Sequence, residues 1–272
     1  MKKMLCIALV LLFCVGVVYA QDVEESKLVV GVEWNNGRVN VENLNFINLG
    51  VGSFDGALSI KSDDVKLEQY LTSLGYEVSE NLIPYLLLGY VRISIDQTLT
   101  GSIASPFVGS IDLTKSEMRE SAFAYGLGAR GELTKIKDIS IGYDVRYLMA
   151  SYDETEEKLD VLGYQLSNSQ DLEYTELDLS LIASRKVDIE DNKFLKALTP
   201  YVGYKFTKVD LNKRNHISIC DISIGTEANL NGITHNGIVG VIAQLTNSFS
   251  IAGEVLINDE NMGYGVKAVY RF

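Results

Sequence analysis

Residues 263–272 read GYGVKAVYRF, and they alternate strictly. Tyr264, Val266, Ala268, Tyr270 and Phe272 take one side, while Gly263, Gly265, Lys267, Val269 and Arg271 take the other. A period of two is the pattern of a β-strand. Chain ends usually fray or trail into polar residues. This one keeps its pattern to the last residue and stops on an aromatic ring. A final strand at full strength needs a partner, and the first strand of a closed sheet supplies one.

The same alternation runs backwards through the chain. FSIAGEVLI sets Phe249, Ile251, Gly253, Val255 and Ile257 against Ser250, Ala252, Glu254 and Leu256. PYVGYKFT sets Val202, Tyr204 and Phe206 against Tyr201, Gly203, Lys205 and Thr207. ISIGYDVRYLMA sets Ile139, Ile141, Tyr143, Val145, Tyr147 and Met149 against Ser140, Gly142, Asp144, Arg146, Leu148 and Ala150. SAFAYGLGARGEL sets Phe123, Tyr125, Leu127 and Ala129 against Ala122, Ala124, Gly126, Gly128, Arg130 and Glu132. PYLLLGYVRISID is apolar on both faces at first. Its later alternation is read with Tyr85, Leu87, Gly89, Val91, Ile93 and Ile95 outward and Arg92, Ser94 and Asp96 inward. In DLEYTELDLSLIASRK, Leu172 and Tyr174 share a face, then Leu177, Leu179 and Leu181 do; a slip near Glu176 predicts a β-bulge.

Short connections near SENLI, TKIKD and Thr246–Asn247 alternate with long ones at 97–118, 153–170 and 212–234. The link 188–198 is intermediate. Short-long alternation is that of an up-and-down antiparallel meander. Residues 27–63 are ambiguous: KLVVGVEW is a strand, RVNVENLNFINLG pairs back or is loop, and GALSIKS is a possible further strand. The expected fold is all-β, a closed antiparallel up-and-down transmembrane barrel of about ten strands, with twelve or eight as alternatives.

The bulk numbers fit. Three prolines and 23 glycines in 272 residues exclude a collagen-like or disordered chain. A formal charge of −12 argues against a nucleic-acid partner. Residues 1–20 read as a cleaved secretory signal: Lys2 and Lys3, an apolar run, and VYA before the cut. Residues 21–272 are then one barrel domain. Cys6 and Cys14 leave with the signal, so Cys220 alone remains and no internal disulfide forms.

Alternation alone does not say which face is wet. Size does. The polar faces are dominated by Ala122, Ala124, Gly126, Gly128, Ser140, Gly142, Gly203, Ser250, Gly263 and Gly265. A solvated surface has no need of such small residues, whereas a narrow barrel interior does. The bulky, ring-rich set then faces lipid. The strands also approach the roughly 9–11 residues that cross a bilayer at a tilt.

The ending VYRF resembles the assembly signal of Gram-negative outer-membrane proteins, carried here by Val266, Ala268, Tyr270 and Phe272. The common signal has a glycine where this chain has Lys267, with Gly265 two places earlier. PYLLLGY at 84–90, PYVGYKF at 200–206 and AYGLGARGEL resemble strands of small opacity-like outer-membrane barrels. The resemblance implies export to the outer membrane, a lipid surround, and dependence on periplasmic chaperones and the barrel-insertion machinery.

The inward set carries charges of both signs: Arg92, Asp96, Arg130, Glu132, Asp144, Arg146, Glu173, Asp178, Lys205, Glu254, Lys267 and Arg271. They form either a polar path for solutes or an ion-pair network filling a narrow lumen. Near-balanced signs favour the network, since buried charges must be paired. His216 and His235 lie near Cys220 and Asp221 without the convergent ligands of a metal site. The acidic run Asp153–Asp160 lacks the ligand order of a calcium loop. The apolar segment 101–111 is a candidate plug or contact loop. No catalytic constellation, cofactor motif or metal site is expected. The functional readings are a structural or surface-interaction barrel with at most a narrow pore, a porin-like diffusion channel, and a soluble lipocalin-like binding barrel.

Overall fold

The computed structural model describes residues 28–272 except 40, 43–46, 52–53, 80, 105–115, 162–163, 191, 193, 220–221 and 260. Residues 1–20, expected to be a signal, lie outside the described residues, as do Cys220 and Asp221. So do the side chains of Ile95, Asp96, His216 and the acidic run 153–160, and those of 101–111.

Ten antiparallel strands form the wall: β1 (Leu28–Val39), β2 (Phe54–Tyr76), β3 (Ile83–Ala104), β4 (Ser116–Ile136), β5 (Ile139–Val161), β6 (Tyr164–Ser184), β7 (Ala197–Ile219), β8 (Ile222–Gln244), β9 (Phe249–Ile257) and β10 (Met262–Arg271). Each pairs with the next, and β10 pairs with β1, with Val29 opposite Arg271 and Asn36 opposite Tyr264. The sheet is therefore closed, and the backbone of the last strand is paired to its end. The Phe272 N–H donates to the Leu28 carbonyl at 3.0 Å. Leu28 and Phe272 lie at the end of the short turns. There Thr246 Oγ1 accepts from the N–H groups of Ser248 and Phe249, and Lys137 adopts a left-handed φ of 57°.

Residues 28–63 contribute one complete strand and the start of β2. Ile47–Val51 folds back on β2, and Val41–Glu42 pairs with Asn231 and Gly232 of β8. Three expectations are corrected. The long connections are mostly strand: β2 to β8 are 21–23 residues each. Polar sequences read as loop, but backbone pairing needs no apolar face once the neighbouring strand holds the register. The bulge near Glu176 is absent, since pairing is continuous there; register shifts fall at Ser62/Val65, Glu132/Thr134 and Glu154/Glu157. The faces of β3 are reversed. Tyr85, Leu87, Val91 and Ile93 are buried in the lumen, while Leu88 and Tyr90 are 53% and 59% exposed outside.

The wall is uneven. β1, β9 and β10 have 12, 9 and 10 residues, about the length that crosses a bilayer. The other seven strands are about twice that. An outward belt of exposed large apolar side chains circles the turn-side half: Val32, Tyr70, Leu88, Phe123, Tyr147, Leu181, Val202, Val239, Ile251 and Val266 stand on successive strands or their neighbours. Farther from the turns the outward residues become polar, with Glu68, Arg92, Ser121, Glu173 and Lys208.

Inside, the lumen divides by height. Val65, Leu67, Leu87, Val91, Ile93, Ala122, Ala124, Leu148, Ala150, Leu172, Tyr174, Val209 and Leu211 are buried together. The alanines of β4 and β5 leave room for the Leu and Tyr side chains of the facing strands. On the turn side of this apolar layer lies a polar one.

Candidate functional site

The polar layer is built around Arg146 of β5. Its Nε donates to Asp178, its Nη1 to Glu33 at 2.9 Å, and its Nη2 to Glu176 at 2.7 Å and Gln69 at 2.9 Å. Lys205 meets Asp178 at 2.9 Å, and Lys267 meets Glu33 at 3.2 Å. Thr207 donates to Asp178 at 2.6 Å, Gln69 Nε2 donates to Glu176 at 2.6 Å, and Tyr174 donates to Glu176. Three cations meet three carboxylates, so the set is formally neutral when all are ionised. It spans the barrel: Glu33 stands on β1 and Glu176 on β6, halfway round a ring of ten.

The guanidinium suits this position because its planar fork serves several acceptors at once. Inward alternation places the partners. Glu176, Asp178 and the apolar Leu172 and Tyr174 all share one face of β6, so apolar and charged residues follow each other down the same wall.

Below the cluster, a three-strand unit occurs twice. Tyr85 of β3 lies opposite Gly128 of β4, and its hydroxyl donates to Asp144 of β5. Tyr201 of β7 lies opposite Gly240 of β8, and its hydroxyl donates to Glu254 of β9 at 3.0 Å. Each ring occupies the space that a side chain on its glycine would need. Arg130 stands 5.5 Å from the Tyr85 ring centroid, and Lys267 stands 6.0 Å from it.

Arg146, Asp178, Lys205 and Lys267 thus meet in one cluster, and Arg130, Asp144 and Glu254 line the lumen beneath it. Glu132 is half-buried opposite Gly142 and joins none of these pairs. Three residues expected inside are not. Arg92 is exposed and pairs with Glu68 at 3.1 Å on the outer face. Glu173 is exposed outside, and Arg271 is exposed at the chain end. Arg92 and Glu173 lie farther from the turns than the apolar belt, where the outer face is polar and accepts charge. Glu33, Gln69 and Glu176 were missed. Glu33 is a single acid in an apolar run, and Glu176 was hidden by the false frame slip.

Among the described residues, no group of three His, Cys, Asp or Glu could hold a metal ion. His235 is exposed on the outer face, hydrogen-bonded to Tyr204 and edge-on to Phe206. At the chain end the rings of Tyr270 and Phe272 meet edge-on at 4.7 Å. Tyr270, Phe272 and Val266 are exposed, and Ala268 is half-buried.

No family model matches the chain, and no curated protein sequence matches it. Among solved structures, the beta domain of the Bordetella autotransporter BrkA is similar, at 11% identity and a TM-score of 0.45, over 91% of this chain and 100% of that one. The translocator domain of the autotransporter NalP from Neisseria meningitidis is similar at 12% identity and a TM-score of 0.41, over 92% of this chain and 90% of that one. Likeness this distant supports no inference about activity, and the closed ten-strand barrel stands on its own strand pairing.

Proposed function

We propose that the chain is an integral outer-membrane β-barrel with a structural or surface-interaction role, whose lumen is sealed against ions. The observation that carries this reading is the outward apolar belt on a closed barrel. In water, exposed Leu, Val, Phe and Tyr side chains on strand after strand would form an apolar surface far beyond the few hundred Å² that monomeric soluble proteins tolerate. In lipid the same belt is favourable, and at its height each strand of the ring pairs with a neighbour on both sides.

The seal is the Arg146 cluster with the apolar layer above it. An ion entering would have to break pairs that are buried and mutually satisfied. This favours the sealed barrel over a porin-like channel. The lipocalin-like reading fits poorly, because it leaves the belt in water. The N-terminal signal sequence, and the alternating Val266, Ala268, Tyr270 and Phe272, support export and insertion by the outer-membrane assembly route. A resemblance to the small opacity-like barrels is supported by the motifs at 84–90, 124–133 and 200–206.

Membrane fractionation and heat-modifiable gel mobility test the location. The protein should sediment with outer membranes and migrate faster unheated. Recovery as a soluble periplasmic monomer would overturn the proposal. Planar-bilayer recording tests the seal, and large stable channels would replace it with the porin reading.

A further inference from the structure

We infer that the lumen passes water and water-sized uncharged solutes while excluding ions. The inference rests on the sealed-barrel reading above and adds a conducted species to it.

Two cavities flank the Arg146 cluster. One, of about 100 Å³, lies on the turn side among Asp144, Ser180, Tyr201, Ala252 and Glu254. The other, of about 50 Å³, lies toward the rim of the low wall, among Asn36, Gly37, Arg38, Thr234 and Asn236. A water takes roughly 30 Å³ of liquid, so these volumes hold about three molecules and one or two. Asn35, Arg146 and Lys205 line both cavities. These three side chains therefore stand between the two cavities.

The second cavity also carries an unmet polar atom. Thr234 is 6% exposed, and its Oγ1 has no hydrogen-bond partner. Buried hydroxyls are rarely left so, and a water in this cavity would satisfy it. Within the partition, Asn35 is held most loosely. Its Nδ2 reaches Gln69 Oε1 at 3.5 Å, the limit of a hydrogen bond, whereas the Arg146 contacts to Glu33, Gln69 and Glu176 are all 2.9 Å or less. Rotation of one neutral carboxamide joins the two cavities without breaking an ion pair. Water crosses by exchanging hydrogen bonds with Asn35, Thr234 and Asn236. An ion would surrender its hydration in a space too small to carry it, beside charges already neutralised by one another.

The test is osmotic shrinkage of vesicles holding protein purified from membranes, followed by stopped-flow light scattering, with planar-bilayer recording in parallel. Wild type should shrink several-fold faster than empty vesicles and show no ionic current. Asn35→Leu, which fills the partition with an apolar side chain, should return shrinkage to the empty-vesicle rate while unheated gel mobility stays that of the folded barrel. If that variant does not fold, Asn236→Leu makes the same block from the second cavity. Wild-type shrinkage no faster than empty vesicles, without current, would overturn the inference and leave the sealed barrel standing. Shrinkage unchanged by either folded variant would overturn it too. Steady ionic current would instead overturn the sealed reading on which it rests.

Discussion

A Cβ placed on Gly128 would stand 2.3 Å from Cζ of Tyr85, so the tyrosine ring occupies the glycine's missing side chain. The same holds for Gly240 beneath Tyr201, at 2.3 Å from Cζ. Gly128→Ala should therefore push the ring aside and cost roughly 1–3 kcal/mol of stability, as overpacking does. In a Tyr85→Ala background the added cost should nearly vanish, because the conflict is between those two residues. Gly253→Ala is the control, since nothing lies within 4 Å of a Cβ there. Urea unfolding in lipid vesicles measures all four variants; additive costs for Gly128→Ala and Tyr85→Ala would show that the ring does not set the limit.

Leu179 and Glu173 share the outer face of β6 and differ in height. Leu179→Arg should cost roughly 2–4 kcal/mol in lipid if it lies near mid-membrane. Glu173→Arg, beyond the belt, should change stability little. Equal costs at the two positions would place the lipid boundary elsewhere.

Removing Arg146 leaves Glu33, Glu176 and Asp178 with only Lys205 and Lys267 for charge partners. Breaking a buried pair from one side costs roughly 3–5 kcal/mol. Arg146→Ala should lose that much and, on the proposed seal, should leak more ions than the wild type. Adding Glu176→Gln should recover part of the stability, because it removes a stranded carboxylate. A variant as stable and as tight as the parent would mean the cluster is not the seal.

Lys137 holds a φ of 57° in the two-residue turn between β4 and β5. Side chains are disfavoured there by roughly 1–2 kcal/mol relative to glycine. Lys137→Gly should raise stability, by about 1 kcal/mol after the added chain entropy of glycine. A loss of stability would indicate that the lysine side chain makes up for its backbone.

The sequence was most readable where one face was small or charged and the other bulky. On β5, Arg146 and Asp144 alternate with Tyr143, Val145 and Tyr147, and the assignment of faces holds. On β3 it failed, because Leu86, Leu87 and Leu88 give the two sides nothing to distinguish them. On β6, Leu172 and Tyr174 looked lipid-facing, yet they are the inner apolar layer, continuous with Glu176 and Asp178 below. Alternation reports parity along one strand. It does not report the height at which the lumen changes from apolar to polar, and that change misled the reading twice. The residues joining opposite walls, Glu33 with Arg146 above all, are distant in sequence and carry no local mark of their meeting.

The low wall has a kinetic corollary. The joint that closes the ring runs only from Val29 and Arg271 to Asn36 and Tyr264, whereas β7 and β8 zip together from Ala197 and Gln244 to Ile219 and Ile222. This ladder has eight residue pairs, as few as that of β8 with β9, and it alone joins the first strand of the ring to the last, so its loop-closure entropy is the largest. Closure of this seam should be the late step of folding and its opening the first of unfolding. The sole tryptophan, Trp34, sits in the seam opposite Val266. Its fluorescence should lag behind the tyrosine signal on refolding into vesicles, timing the closure of the ring apart from the growth of its wall.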